Sequence, residues 1–151
     1  MKIKNAARMV LLDDVEKVAI INVGKSEYYK IPGGGVEEGE SLVEAVEREV
    51  REEAGCTAEV IGRLGRVETD IFGWGLHDVS EGFVGKVVGE KGIPKYDDYE
   101  RERGFSVEWH DLDEAIRMIE KNEVDDRDKK VLQARDLEFL KRARRHLEKI
   151  R

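Results

Sequence analysis

The chain has 151 residues, 40% charged and 40% apolar, with a formal net charge of −7. That length suits one domain over residues 1–151 with its own core, and the acidic balance argues against a general nucleic-acid-binding surface. One cysteine, Cys56, excludes an internal disulfide and goes with a reducing, cytoplasmic setting; no apolar run approaches membrane-spanning length, and no signal-peptide core opens the chain.

Residues 6–12, AARMVLL, read as a strand ended by Asp13-Asp14, and residues 18–23, VAIINV, as a second strand rich in β-branched residues. The short link between them predicts an antiparallel hairpin, and the unbroken apolar character predicts burial on both faces of a sheet. After a loop at 24–27, Pro32 and three glycines end a short strand and let the backbone approach a ligand closely.

A helix is expected over 42–54. Ser41 is a good N-cap, Glu44 completes a capping box, and Gly55 stands where a left-handed cap ends the helix. Val43, Val46, Val50 and Ala54 share a face that should be buried, while Glu49, Glu52 and Glu53 cluster on a neighbouring face. A solvated face is the plain reading of such a run. Beside a glycine-rich loop, however, convergent carboxylates that repel one another make a hard oxygen site suited to Mg²⁺ or Mn²⁺. Arg48, one turn before Glu52, is placed to orient it.

Residues 58–71 read as one long strand or two short ones, with Gly62 and Gly65 allowing a bend or bulge. Residues 72–77 form a loop carrying Phe72, Trp74 and a solvated His77. A strand at 81–88 should put Phe83 and Val87 on one face and Val84 and Val88 on the other. A polar loop follows at 89–103, then a strand at 105–109. Asp111 caps a helix to about Lys121, with Ala115, Ile116 and Ile119 inward. After a break at 122–128, a last amphipathic helix, or two joined end to end, spans 130–150, with Leu132, Leu137, Leu140, Ala143 and Leu147 toward the core. Its basic end is what a helix C-terminus favours. Strands on both sides of the first helix require a mixed sheet with helices packed on it.

The pattern Gly34, five residues, Glu40, seven residues, Arg48-Glu49-Val50, one residue, Glu52-Glu53, one residue, Gly55-Cys56 resembles the Nudix box of the MutT-like hydrolases. Cys56 departs from the larger aliphatic residue usual there, and as a small hydrophobe it changes little. The resemblance implies an α/β fold of Nudix type, an α/β/α sandwich whose mixed sheet lies between helices, with the box as loop-helix-loop. It implies a metal-dependent pyrophosphohydrolase that cleaves a nucleoside diphosphate linked to another group. Glu49, Glu52 and Glu53 with the Gly34 carbonyl would hold Mg²⁺ (or Mn²⁺), Arg48 would orient the carboxylates, and Glu40 would tie loop to helix. Glu53 is the first choice for general base. A glutamate of a distant loop, Glu100 or Glu102, is the alternative.

Tyr29 stands where the family commonly has a tryptophan, and Phe72 and Trp74 occupy the neighbourhood of a substrate-contacting tyrosine; each is a candidate for base stacking or for plain packing. No proline lies between Pro32 and Pro94, which disfavours ADP-ribose. The expected substrate is a nucleoside triphosphate or related small nucleotide, with a dinucleoside polyphosphate second and a non-catalytic nucleotide-sensing module third. Neither a stable nucleic-acid complex nor a membrane partner is expected, and a homodimer stays open.

Overall fold

The computed structural model describes residues 1–24, 28–124 and 126–150. Most of the loop expected at 24–27, one residue of the break at 122–128 and the final residue of the basic end fall outside them.

The strand β1 (Lys2–Leu12) runs through the middle of the sheet and is buried from Ala6 onward. Side chains alternate across a strand, so Ala7, Met9 and Leu11 enter one core while Val10 and Leu12 enter the other. Covering on both faces is why its apolar run has no polar alternation. On one side β1 pairs antiparallel with β2 (Val18–Asn22), which continues to β3 (Tyr29–Lys30) and, off the main path, β7 (Ser106–His110). On the other side it pairs in parallel with β6 (Leu76–Val88), from Lys2↔Leu76 to Leu12↔Lys86. The long antiparallel partner of β6 is β5 (Thr57–Ile71), whose register shifts fall between Val60 and Gly62 and between Arg63 and Gly65, at the two expected glycines. The short β4 (Gly33–Gly35) also pairs with β1, antiparallel, at Ala6 to Arg8.

Helix α1 (Leu42–Ala54) covers one face, burying Ala45, Val46, Val50 and Ala54 against the layer of Met9 and Phe83. Helices α3 (Leu112–Glu120) and α4 (Arg127–Lys149) cover the other, with Ile116, Ile119, Phe139 and Leu140 against Val10, Ile20 and Val84. The result is the mixed-sheet sandwich that the order of elements implied. Phe139 fills a notch over β6: a Cβ at Gly82 would stand 2.4 Å from its ring.

Several expectations are corrected. β1 begins at Lys2 rather than residue 6, and β6 at Leu76 rather than residue 81, because the parallel ladder between them extends past the apolar stretch. His77 is therefore a strand residue, bonded to Asp70 (2.7 Å) and Glu68 (2.9 Å), rather than a solvated loop histidine. The polar segment at 89–103 holds a short helix, α2 (Asp98–Arg103), with an Asp97–Glu100 capping box and Gly104 as left-handed cap. It buries no side chain, so it leaves no apolar periodicity to read.

Helix α4 starts at Arg127, not 130, and its largest buried residue, Phe139, was absent from the expected core list, whereas Leu132 and Leu137 are only partly buried. Asp111 occupies the N-cap of α3 without a capping bond, its carboxylate pairing with Lys17 at 3.0 Å instead. Val88, at the end of β6, is 48% exposed. Val43, in the first turn of α1 at the margin of its buried arc, is exposed, while Ala45 is fully buried. That arc runs from Ala45 through Glu53 to Ala54, so one of the box carboxylates lies on the core side of the helix.

Candidate active site

Local signals build the helix that carries the carboxylates. Ser41 Oγ accepts from Glu44 N–H and the Glu44 carboxylate accepts from Ser41 N–H, both at 3.0 Å, and Gly55 closes the helix at φ 71°. These are the reciprocal capping bonds and left-handed stop that the residue types favour.

Arg48 is the hub of the site. Its guanidinium donates to both oxygens of Glu40 (2.7 and 3.0 Å), to Glu49 Oε1 (2.9 Å) and to the Gly35 carbonyl (3.0 Å), and lies 3.4 Å from Glu52 Oε2. The fork-on-carboxylate geometry is one that lysine cannot reproduce. It holds the Glu40 carboxyl down at about 2, and it ties the glycine loop to the helix.

Glu53 is 3% exposed. Its Oε1 accepts from Gly33 N–H at 2.8 Å, and its Oε2 lies 2.7 Å from Lys30 Nζ. Glu49 lies against Gly34, where a Cβ would stand 2.6 Å from Oε1. A Cβ at this position would displace the Glu49 carboxylate. Burial and the charge of Glu53 push the Glu49 carboxyl up, against the pull of Arg48. Glu52 is the most exposed of the three. As they stand, Lys30 and Arg48 hold the carboxylates, and among the described residues no three acidic, imidazole or thiol groups converge closely enough to ligate an ion. The donor set is nevertheless hard oxygen throughout, with a glycine carbonyl beside it and a carboxylate repulsion that a divalent cation relieves.

The segment after β6 is strapped over the end of α1: Gly92 N–H donates to Gly55 O, Lys95 N–H to Glu52 O, and Tyr96 Oη to Glu53 O. This brings α2 beside the site. Burial, with the negative charges of Asp97 and Glu53, pushes the Glu100 carboxyl up, although Asp97 N–H bonds it. Glu102 is exposed on the same helix. Glu100 lies within electrostatic reach of Glu53.

Across β4 from the carboxylates lies a cavity of about 200 Å³, walled by Lys4, Arg8, Lys30 and Arg135 together with Asp78, Gly33, Gly34 and the apolar Ile71, Leu132 and Trp74. A buried polar chain backs it. Arg8 Nε donates to Ser80 Oγ (3.1 Å), Ser80 Oγ donates to Asp78 Oδ1 (2.5 Å), and Arg135 Nε donates to Asp136 Oδ1 (3.1 Å). Asp136 Oδ2 accepts from Ile31 N–H at 3.2 Å. Burial and the Arg135 charge lower Arg8 to about 10, and burial and Arg8 lower Lys4. These cations repel one another in a poorly solvated place.

Trp74 is on the cavity wall, whereas Phe72 beside it is 56% exposed, with the Arg127 guanidinium 4.7 Å from its ring centre. Tyr29 is elsewhere. Its side chain packs on the core under α3, and its backbone is bonded at both N–H and C=O by the Asn122 amide. The adjacent Tyr28 is the tyrosine that burial and the Asp136 charge act on, both raising its phenol pKa. Residue pattern alone passed over Lys4, Arg8, Lys30, Asp78 and Arg135. The usable signal was Arg8, a charge inside an otherwise apolar strand, since a buried charge needs partners.

The NUDIX domain family matches residues 2–134. The chain belongs to the Nudix family. No curated protein matches the sequence. Among solved structures, the Nudix fold recurs in a NUDIX hydrolase from Nitrosomonas europaea (23% identity, 82% of each chain covered, TM-score 0.66). It recurs also in a MutT protein from Methanosarcina mazei Go1 (18% identity, 82% of this chain and 97% of that one, TM-score 0.57). An Ap4A hydrolase from C. elegans matches over 96% of this chain and 98% of its own (16% identity, TM-score 0.66). Nudix hydrolases act on pyrophosphate bonds of small nucleotides and generally use divalent cations. No helix of this Nudix chain is long and apolar enough to cross a membrane among the described residues.

Proposed function

We propose that this chain is a divalent-metal-dependent pyrophosphohydrolase of a nucleoside triphosphate or a related small nucleotide, acting in the cytoplasm as one domain over residues 1–151. The observation that carries the reading is the placement of two unlike sites on either side of β4. Glu49 crowds against Gly34 and Glu53 accepts from Gly33 N–H on one side, and cations line a cavity on the other. A polyphosphate laid across Gly33 and Gly34 would meet both.

In this reading the Gly34 carbonyl with Glu49, Glu52 and Glu53 holds Mg²⁺ or Mn²⁺. Bound there, the cation neutralises phosphate charge and makes water a better nucleophile. Arg48 keeps Glu49 and Glu52 aimed at the glycine strand by its bonds to both and to Gly35 O. Lys4 and Lys30 take phosphate oxygens, since an anion relieves the repulsion among the cavity cations. When Lys30 turns to phosphate, Glu53 Oε2 is freed to accept a proton from the attacking water. Glu100 stands second for that role.

A dinucleoside polyphosphate is the second reading, because the match to the Ap4A hydrolase covers nearly the whole chain. A non-catalytic sensing module is disfavoured because every box carboxylate is in place.

Product release from a nucleotide panel with Mg²⁺ tests the reading. Hydrolysis of triphosphates that stops in excess chelator supports it. Tight binding without turnover on any nucleotide, turnover undiminished by chelator, or a preference for ADP-ribose overturns it.

A further inference from the structure

An α-helix leaves its last four carbonyls without a partner inside the helix. In α1 these belong to Arg51, Glu52, Glu53 and Ala54, so two of the box carboxylates stand in the last turn. All four carbonyls are met. Arg51 O accepts from the Gly55 N–H that closes the helix, and Ala54 O from the Cys56 thiol at 3.4 Å. The two between them are held by the segment after β6. Glu52 O accepts from Lys95 N–H at 2.7 Å, and Glu53 O from Tyr96 Oη at 2.9 Å.

Helix ends fray, and the direction of a side chain follows its main chain. The Glu53 carboxylate is held from one side by Gly33 N–H and Lys30, and its main chain from the other by the Tyr96 hydroxyl. Tyr96 thus acts on the carboxylate through the backbone. Packing aims the hydroxyl, since the half-buried Tyr96 ring meets Phe105 edge-on at 5.8 Å. Burial and the charges of Glu53 and Glu100 push the phenol up to about 12, so it stays a donor at neutral pH. The segment has a separate anchor at its start. Lys91 Nζ lies 2.8 Å from the buried Asp13 Oδ2 and 3.8 Å from the centre of the Trp109 ring. With that anchor in place, the phenol oxygen has a use beyond holding the segment down.

We infer that Tyr96 is a positioning residue whose hydroxyl fixes the last turn of α1, so that Glu52 and Glu53 are set to hold the divalent cation. The inference rests on the reading of Glu49, Glu52 and Glu53 as the metal site.

Mn²⁺ binding to the full chain without nucleotide, followed by electron paramagnetic resonance, tests it apart from turnover. Tyr96→Phe removes one oxygen and keeps the ring on Phe105, so the variant should fold. It should bind Mn²⁺ roughly tenfold more weakly, the lower end of what losing a group that orients metal ligands costs. Lys91→Ala loosens the same segment at its other anchor; it should lower the melting temperature and leave Mn²⁺ affinity at the wild-type value. A bond that served stability alone would lower the melting temperature of Tyr96→Phe without moving its Mn²⁺ affinity. That result, or equal losses of affinity in Tyr96→Phe and Lys91→Ala, overturns the inference and leaves the metal site standing. A wild-type chain that binds no Mn²⁺ removes the metal site itself, and the inference with it.

Discussion

Lys30 Nζ lies 2.7 Å from Glu53 Oε2 while the other oxygen of Glu53 accepts from Gly33 N–H. One cation from β3 thus neutralises the most buried carboxylate of the box, and it also walls the cavity beyond β4. A divalent cation held by Glu53, as proposed, would compete with Lys30 for the same oxygen.

Lys30→Ala should therefore lower stability in chelator, by about 1–3 kcal/mol for a buried charge that loses its partner. Added Mg²⁺ should restore more of the melting temperature in the variant than it adds to wild type, because the ion replaces the missing charge. Thermal melts with chelator and with Mg²⁺ check this. Equal Mg²⁺ shifts in the two proteins would separate Lys30 from the metal site.

Glu53→Gln should lose roughly 10²–10⁴ in turnover if this residue takes the proton. It is buried, so the substitution is not silent for the fold. The amide oxygen can still accept from Gly33 N–H, but Lys30 loses its ionic partner, and a loss of about 1–2 kcal/mol is expected. Steady-state rates beside those of Glu100→Gln decide the base. Near-full activity in Glu53→Gln with a dead Glu100→Gln would transfer the role to α2.

Glu40 titrates far below its ordinary 4.5, at about 2, because of its bonds to Arg48. A depressed carboxyl stabilises the fold above its ordinary value and loses that contribution as pH falls through the folded one. The window is therefore between about 4.5 and 2. Carboxyl titration by NMR should show Glu40 protonating late in wild type and near its ordinary value in Arg48→Ala. Arg48→Lys should also weaken Mn²⁺ binding by roughly 10–100-fold, the usual cost of losing a group that orients metal ligands.

Trp74→Ala should raise KM without altering the dependence on metal, since Trp74 lines the cavity and lies across β4 from the carboxylates. Phe72→Ala should leave KM unchanged, since Phe72 does not line the cavity. The reverse pattern would exchange their roles.

Phe139→Ala should cost about 3–5 kcal/mol, as large aromatic truncations in a packed core do. Phe139 is fully buried and seated over Gly82. Denaturant unfolding measures it.

Helix α1 was legible from its residues to both ends. Its cap, capping box, left-handed stop and carboxylate spacing all act within a turn or two of the chain, so each is a local property of neighbouring residues. The burial of the apolar strands was legible too, because solvation of a side chain depends first on its own chemistry. The helix face was read only in part. Spacing placed Glu53 beside the buried stripe, and the packing of α1 on the sheet turned it into that stripe.

The cavity lay beyond sequence reading for a different reason. Lys4 and Arg8 come from β1, Asp78 and Ser80 from β6, and Arg135 from α4. Arg8 and Ser80, 72 positions apart, meet only because β1 and β6 pair in parallel with Arg8 opposite Gly82. A shift of one residue in that register would turn each of these β1 side chains to the other face of the sheet. Nothing local to Arg8 or Asp78 records the register. It follows from which arrangement buries both cores at once, and only the folded chain settles that.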